Sequence, residues 1–428
     1  MNMNTKIVTG IVFVLAVAGL GYGYYFYKNN INLGPIILDP TVDITEAIPP
    51  SEPITPPPVS PGTLLPPAGN PPPAPSDPPK PPVNNTQMPL KLPAGFEISI
   101  FASNLPGARD MALDGLGNMI VSQTGQGKIS LLYIKNGIVD EQTTLLSGLN
   151  RPHGVAIHPQ QSNLLYFAEQ NKISKVPLYS EPPPEKVVDL PSGGHHTNYS
   201  LRFGPDDRLY VALGSTCDVC NEADKRRGTI QVVDLAKKTL STFALGLRNA
   251  PFFTWSYIDG RMWATEMGRD FLGDNLPPDE INIVQHGKDY GWPNCYGKNV
   301  HDGDFDKNNQ ASCSGKVPSH VDLQAHSAPL GLGFIPEEGW PEEYWHDLIV
   351  AYHGSWNRSI PTGYKLVHIK LDAKGNYEGT EDFITGWLPA SGGGALGRPA
   401  GVLIQPGGTM YVSDDGRGVI YRIRYNRE

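Results

Sequence analysis

The sequence predicts an all-β fold, a six-bladed β-propeller. One sequence pattern, which we call the repeated phrase, occurs six times after about residue 105. It consists of a loop that leads into a short apolar segment, a turn of Gly, Asp and Pro, and a second apolar segment such as Leu-Tyr-Val. The copies recur at roughly 45 to 75 residues, which leaves room for two further strands in each repeat. With 39% hydrophobic residues, the chain can also bury a large core.

Each copy supplies the first two strands of one predicted blade, joined by a tight turn. In chain order the copies occupy 108–115 with 119–121, 151–159 with 165–167, 201–206 with 209–211, 248–250 with 259–263, 329–334 with 348–350, and 398–404 with 410–412. The fifth copy is the loosest. Four-stranded blades in a ring account for the number and spacing of the copies, so residues 91–428 are predicted to form one catalytic propeller domain.

The N-terminal segment differs from the repeats. Residues 7–27 carry no charge, lie between Lys6 and Lys28, and are about long enough to span the hydrocarbon core of a membrane. We therefore predict a membrane anchor over residues 1–28. A cleaved signal peptide is the alternative, because Ala16-Val17-Ala18 resembles a small-residue cleavage site. The membrane anchor and the signal peptide both imply that the following domain is exported, to the periplasmic or extracellular face.

Residues 29–90 are predicted to be a disordered, Pro-rich stalk. Half of the 42 prolines lie between residues 35 and 93. Proline removes a backbone donor and favours the extended polyproline conformation, so this segment cannot form a packed core. We expect a spacer between the membrane and the folded domain; a Pro-rich ligand for a partner domain is the alternative.

Charge and cysteine content narrow the classes of function. The net charge of −9 and the sequence pI of about 5.7 exclude nucleic acid as a partner, since no basic block balances the acidic total. The four cysteines favour disulfides in an exported chain, with Cys217–Cys220 and Cys295–Cys313 favoured among three pairings. Zinc or covalent haem at the Cys217 motif is the weaker alternative, because the matching ligands are missing.

Cationic side chains precede the predicted inner strands. Because these positions lie at one rim of the channel, we expect a ring of Arg and His there, a costly arrangement unless an anion binds. The pattern predicts a polyanionic ligand. The ring comprises Arg109, Arg151 with His153, His195 with His196, Arg248 with Asn249, and Arg398.

The third copy carries the most specific signal. Residues 194–206, followed by Gly214-Ser215 and by Cys217 and Cys220, resemble the active-site strand of the soluble pyrroloquinoline quinone (PQQ) sugar dehydrogenases, and within them the sorbosone dehydrogenase branch. The resemblance covers about residues 90–425. Further matching segments lie, in the same order, at 246–249, 265–270, 276–282, 290–293, 326–331, 353–358 and 397–401.

The resemblance implies a cofactor site of PQQ and Ca²⁺. It makes His196 the catalytic base, places Arg248 and Asn249 against the quinone, and pairs Arg398 with a cofactor carboxylate. It also implies that the backbone carbonyls of Gly268 and Arg269 bind Ca²⁺. The chemistry is consistent, because planar guanidinium groups suit a flat tricarboxylate, carbonyl oxygens suit Ca²⁺, and imidazole accepts a proton near neutrality.

Further residues are candidates for the same pocket. We expect Arg151, His353 and Arg358 to contact the cofactor and Trp356 to form the pocket wall, with a core position as the alternative for Trp356. The alternating carboxylates Asp302, Asp304 and Asp306 predict a structural Ca²⁺ loop. The alternative is a solvated acidic loop between two cysteines.

The resulting hypothesis is a membrane-tethered quinoprotein that oxidises an aldose or a related polyol or aldehyde. It would use PQQ and Ca²⁺ and pass electrons to an external acceptor. Two alternatives come from other classes: a propeller lactonase or other metal-dependent hydrolase, and a non-catalytic propeller that binds protein or glycan.

Overall fold

The structure is a computed structural model that describes residues 79–180, 182–390 and 394–426. The predicted anchor and nearly all of the predicted stalk lie outside these residues. Within the described ranges, no helix is long and apolar enough to cross a membrane.

The described chain begins with two strands that pack against the propeller. Strand β1 (Val83–Asn85) pairs in parallel with β2 (Phe96–Ala102). Between them, Met88 and Leu90 are each only 6% exposed and lie in a hydrophobic cluster with residues of the last two blades. The packed region therefore starts before residue 91, because these two apolar side chains gain burial against the ring.

Blades 1 to 3 follow as four-stranded sheets with neighbouring strands adjacent in sequence. Blade 1 comprises β3 (Ala108–Leu113), β4 (Met119–Gln123), β5 (Lys128–Lys135) and β6 (Ile138–Leu146). Blade 2 comprises β7 (Val155–His158), β8 (Gln161–Ala168), β9 (Lys172–Pro177) and β10 (Glu185–Asp189). Blade 3 comprises β11 (Leu201–Phe203), β12 (Leu209–Leu213), β13 (Thr229–Asp234) and β14 (Thr239–Leu245).

Blades 4 to 6 complete the ring. Blade 4 comprises β15 (Phe253–Trp255), β16 (Met262–Glu266), β17 (Asp279–Val284) and β20 (Val321–Leu323), with an inserted hairpin of β18 (Cys295–Tyr296) and β19 (Val300–His301). Blade 5 comprises β21 (Pro329–Phe334), β22 (Leu348–Tyr352), β23 (Lys365–Leu371) and β24 (Tyr377–Ile384). Blade 6 comprises β25 (Pro399–Ile404), β26 (Met410–Asp414) and β27 (Val419–Tyr425). Short 3-10 helices lie at Thr124–Gln126 and Glu342–Tyr344.

The ring closes through its two chain ends. Strand β2 pairs antiparallel with β27, with Phe96 opposite Tyr425, and so supplies the outer strand of blade 6. The predicted six-bladed propeller is thereby confirmed for the described residues. Five repeated phrases fall on the first two strands of a blade, and in the fourth copy residues 248–250 lie in the loop before β15. Pairing of the two chain ends within one blade fastens the ring.

The first strands of the blades line the channel. Contacts join β3 to β7 and β25, β7 to β11, and β21 to β25. Apolar side chains fill the spaces between neighbouring blades, as with Phe252, Trp263 and Leu330 between blades 4 and 5. The loops that enter the first strands are therefore held around one axis, which brings their polar residues together.

A truncation tests the packed N-terminal segment. We expect a chain that begins at Lys91 to have a free energy of unfolding lower by about 4 kcal/mol or more than one that begins at Pro79, because it loses the buried Met88 and Leu90. Urea unfolding of both chains measures this. Met88→Ala with Leu90→Ala in the longer chain should reproduce most of the loss, and equal stability of the two chains would contradict it.

Candidate functional site

Polar loop residues from several blades meet at one end of the channel. His196, Arg248, Gly268 and Trp356 line a common cavity that opens to solvent, together with residues of blades 4 and 5. Beside it, Arg398 donates from Nε to the carbonyl of His353 at 3.1 Å. The sequence-predicted residues His196, Arg248, Gly268, Trp356, His353 and Arg398 are thus gathered in two adjoining groups.

The orientation of His196 follows from a chain of hydrogen bonds. The hydroxyl of Ser215 donates to the carbonyl of Cys217 at 2.7 Å, and His196 Nδ1 lies 2.8 Å from the same hydroxyl oxygen. Since the Ser215 proton is used by Cys217, Nδ1 must be the donor to Ser215. The lone pair of the neutral ring then lies on Nε2, the atom that can accept a proton.

Electrostatics keep this imidazole neutral. Burial, the Arg248 guanidinium and His195 lower the pKa of His196 to about 3. An imidazole with this pKa carries a free lone pair throughout the physiological range. His195, the next residue, is exposed and does not line the cavity.

Arg248 is fixed by a loop that a disulfide closes. Its Nη2 donates to Asp218 Oδ1 at 2.7 Å, its Nε donates to the Asp218 carbonyl at 2.8 Å, and Nη1 donates to the carbonyl of Met267 at 3.1 Å. Asp218 lies between Cys217 and Cys220, which form a disulfide. The guanidinium is only 4% exposed, so its position is set before any ligand binds. Neighbouring Asn249 donates from Nδ2 to Met267 Sδ at 3.3 Å.

Both predicted disulfides are confirmed. Cys217 pairs with Cys220, and Cys295 pairs with Cys313. The Cys217 sulfur is therefore not available as a zinc ligand, although Cys217, Cys220 and Glu222 form the one grouped set of potential metal ligands in the described residues.

The turn at Gly268 and Arg269 presents two backbone carbonyls. Neither carbonyl accepts a hydrogen bond from any residue that the structure describes. The Arg269 side chain turns away, with Nη1 2.9 Å from Asp302 Oδ2. The Gly268 amide donates to Asp279 Oδ1 at 2.9 Å, which fixes the turn. The two carbonyl oxygens are therefore available as metal ligands, and the positive charge of the Arg269 side chain beside them is paired with Asp302.

Two buried carboxyl groups lie beneath this turn. Glu266 and Glu280 are opposite each other on β16 and β17. Burial raises the pKa of Glu280 to about 7, and burial together with Glu280 raises the pKa of Glu266 well above its usual value. Glu266 Oε2 has no hydrogen-bond partner among the described residues. Both residues lie in segments that carry the sequence resemblance, 265–270 and 276–282.

The predicted cationic ring also contains acidic side chains. Asp415 forms a salt bridge with Arg109 and accepts from His353 Nε2 at 2.8 Å. Burial lowers the pKa of His353 to about 4, although Asp415 opposes this shift. The expectation of unpaired Arg and His was therefore too simple, because Asp415 and Asp218 neutralise two of the arginines. Neither aspartate belongs to the repeated phrase.

Arg398 has no acidic partner of this kind. It donates to the carbonyls of His353 and Gly354 and stacks over the ring of Tyr364, with its guanidinium carbon 5.3 Å from the ring centroid. No carboxylate of the described residues forms a salt bridge with it.

Two other predicted residues, Arg151 and Arg358, do not line the cavity, whereas Trp356 does. Arg151 is exposed and adopts a positive φ of 49°. Arg358 donates to the carbonyls of Asp274 and Ala325. Trp356 reaches the cavity from its mouth and is 69% exposed, so the alternative of a core position is wrong.

The acidic loop does not gather as a ligand set. Asp302 accepts from the Asp304 amide at 3.1 Å and pairs with Arg269. Asp306 lies 3.0 Å from His301 Nε2. The carboxylate oxygens of Asp302, Asp304 and Asp306 do not all lie within 4.8 Å of one another, so among the described residues they do not form a metal-ligand group.

Comparison with known proteins identifies the family. A family model described as TrAA12-like matches residues 90–426, most of the chain. The chain belongs to this family. An uncharacterized protein of Borreliella burgdorferi is 31% identical over 362 residues, covering 79% of this chain and 91% of that protein. A PQQ-dependent pyranose dehydrogenase of Coprinopsis cinerea is 23% identical over 77% of this chain, and the match covers 54% of that enzyme.

Solved structures share the fold. The holo form of the PQQ domain of the Coprinopsis cinerea pyranose dehydrogenase has a TM-score of 0.68 at 21% identity, covering 80% of this chain and 100% of that domain. A calcium structure of family AA12 from Trichoderma reesei has a TM-score of 0.69 at 19% identity, with 80% and 100% covered. The resemblance to the PQQ sugar dehydrogenase superfamily is confirmed; the sorbosone branch stays a prediction.

Proposed function

We propose that this TrAA12-like protein is a PQQ-dependent dehydrogenase that oxidises a hydroxyl group of an aldose or a related polyol or aldehyde. The observation that carries the proposal is the pairing, in one cavity, of a neutral His196 with a free Nε2 and a preorganised Arg248. The PQQ-dependent pyranose dehydrogenase among its relatives supports the same chemistry.

The residues present fit an anionic cofactor with a divalent cation. Arg398 offers a guanidinium that forms no salt bridge with a described carboxylate, and Arg248 lines the cavity with Asn249 next to it in sequence. The carbonyls of Gly268 and Arg269 are the kind of oxygen ligand that Ca²⁺ prefers, and the buried carboxyl groups of Glu266 and Glu280 lie behind them. Arg398, Arg248 and Asn249 would hold PQQ, and the carbonyls would hold Ca²⁺.

The chain's own residues then perform distinct tasks. When bound, PQQ supplies the acceptor for hydride, and Ca²⁺ supplies positive charge beside it. His196 Nε2 removes the proton of the substrate hydroxyl, and the bond from Nδ1 to Ser215 keeps the ring in the required tautomer. Asp218 holds the Arg248 fork in place, so that little reorganisation is needed.

The alternatives are less well supported. A metal-dependent hydrolase needs several side-chain ligands around one ion, whereas the grouped candidates in the described chain are a disulfide and Glu222. A non-catalytic propeller would not need a buried, oriented imidazole beside a fixed arginine. The finer assignment as a sorbosone-type enzyme rests on the sequence resemblance alone.

Reconstitution tests the proposal. We expect the purified protein to bind PQQ in the presence of Ca²⁺, to acquire the absorbance of the bound quinone, and to reduce an artificial electron-accepting dye when an aldose or polyol is added. The same protein without PQQ is the control. Binding of PQQ without dye reduction by any sugar, polyol or aldehyde would contradict the dehydrogenase assignment.

Export and membrane tethering complete the proposal. The apolar segment 7–27 and the Pro-rich stalk support a tethered domain. Two disulfides are characteristic of oxidising compartments, which supports a periplasmic or extracellular position. An external electron acceptor follows from the need to reoxidise the reduced cofactor.

A further inference from the structure

Two large aromatic side chains lie exposed at the mouth of the cavity. Phe271 and Trp356 are 70% and 69% exposed, and their ring centroids are 5.7 Å apart in an edge-to-face arrangement. We refer to these two residues as the aromatic pair. Large apolar groups that are exposed together beside a cavity mark a binding surface more often than scattered single residues do.

The loops that carry the aromatic pair are bound to each other. Asn357, next to Trp356, donates from Nδ2 to Oδ1 of Asp270, next to Phe271, at 2.7 Å. The Asp270 amide in turn donates to Asp218 Oδ1 at 2.8 Å, which ties the pair to the loop that fixes Arg248. Both rings are therefore held in a defined place relative to the cavity.

Further contacts join the same two loops beyond the pair. Arg358 donates to the carbonyl of Asp274, and the Ser359 amide donates to Asp274 Oδ1 at 3.0 Å. Phe271 adopts a φ of 66°, a conformation that costs energy for a bulky residue. Such a conformation persists only where surrounding contacts enforce it, and it is concentrated at functional sites.

The position of the pair indicates what it binds. Trp356 lines the cavity that contains His196, whereas Phe271 is not among its lining residues and contacts Trp356 from outside. The pair therefore leads outward from the cavity. The same two loops carry polar side chains, with Arg358 Nη2 3.5 Å from Asn275 Oδ1. An apolar ring face on loops that also carry amide and guanidinium groups matches a sugar ring, which has C–H faces and hydroxyl edges.

A protein partner is less consistent with the pair. Two side chains supply far less surface than the roughly 800 Å² per partner that a stable protein interface buries. We propose that the aromatic pair binds a glycosyl unit next to the sugar that reacts over His196, so that the substrate class is an oligosaccharide or glycoside. This inference rests on the proposed function and extends it to a second sugar position.

The test compares trisaccharides with their monosaccharides. Probes are cellotriose, maltotriose, xylotriose and chitotriose, each with its own monosaccharide, assayed with the PQQ-loaded protein and the artificial dye. For at least one pair we expect Trp356→Ala and Phe271→Ala to lower the ratio of trisaccharide to monosaccharide kcat/KM by about tenfold. Trp356→Phe should restore most of the ratio, because it keeps an aromatic face. Tyr377→Ala, on outer strand β24 and with a side chain 42% exposed, is the matched control and should leave it unchanged.

A binding measurement separates this proposal from the proposed function. Calorimetric titration of the same trisaccharides onto the protein needs no turnover, and we expect Trp356→Ala to weaken binding by about tenfold. Trisaccharide binding that depends on Trp356 in a protein without dehydrogenase activity would support the aromatic pair while the oxidation chemistry fails. The inference would be overturned if the protein bound none of the four trisaccharides, or if both alanine variants kept wild-type affinity.

Discussion

His196→Gln is expected to lower turnover by roughly 10² to 10⁴, the usual effect of removing a positioned proton acceptor. PQQ affinity should stay nearly unchanged, because His196 acts on the substrate hydroxyl and the guanidinium donors remain. Steady-state dye reduction measures kcat, and calorimetry measures PQQ binding. His195→Gln is the matched control, since that neighbouring ring is exposed and outside the cavity.

The pH profile gives a second readout of the same residue. The pKa of His196 is lowered to about 3, so the ring is unprotonated and active as a base above that pH. The acidic limb of kcat/KM should therefore lie well below 6.5, the pKa of an unperturbed histidine, and should be absent in His196→Gln. Full activity in His196→Gln, or equal losses in the His195 and His196 variants, would place the base elsewhere.

Arg398→Ala is expected to weaken PQQ binding by about 2 kcal/mol or more, equivalent to about 30-fold, because a desolvated cofactor carboxylate would lose its partner. The structure strengthens this expectation, since no described carboxylate forms a salt bridge with Arg398. Calorimetric titration with Ca²⁺ present measures the change.

Two controls accompany the arginine substitution. Arg208→Ala removes an exposed arginine that pairs with Asp206 in the turn between β11 and β12, and it should leave PQQ affinity unchanged. Arg398→Lys keeps the charge without the planar fork and should restore affinity only in part. Wild-type affinity in Arg398→Ala would mean that this arginine does not face the cofactor.

The propeller could be predicted because its signal is local and repeated. Each phrase places an apolar strand, a Gly/Asp/Pro turn and a second strand within about fifteen residues, and strand alternation with turn chemistry acts over that range. The candidates His196, Arg248 and Arg398 came from the resemblance of short segments in the same order. The two disulfide pairings followed from short spacing in a chain that is predicted to be exported.

The acidic partners of the site could not be predicted, because they are distant in sequence from the groups they bind. Asp415 and Arg109 are 306 residues apart in sequence and meet only when β2 pairs with β27 and the propeller closes. Asp218 directly follows Cys217, yet its pairing with Arg248 depends on the loop between blades 3 and 4. The acidic run at 302–306 has the local spacing of a calcium loop, but Asp302 pairs with the distant Arg269 and Asp306 lies beside His301.

The sequence by itself determined the fold class, the disulfides and which residue types stand at the ends of the inner strands, since turn chemistry, strand alternation and short spacings are properties of neighbouring residues. Only the tertiary structure decided the tautomer and pKa of His196 and the neutralisation of Arg109 and Arg248. It also decided that no described carboxylate forms a salt bridge with Arg398. It also created the aromatic pair, because Phe271 and Trp356 lie in different blades. Electrostatic and packing energies depend on distance and burial, and both are fixed only when the blades close around one axis.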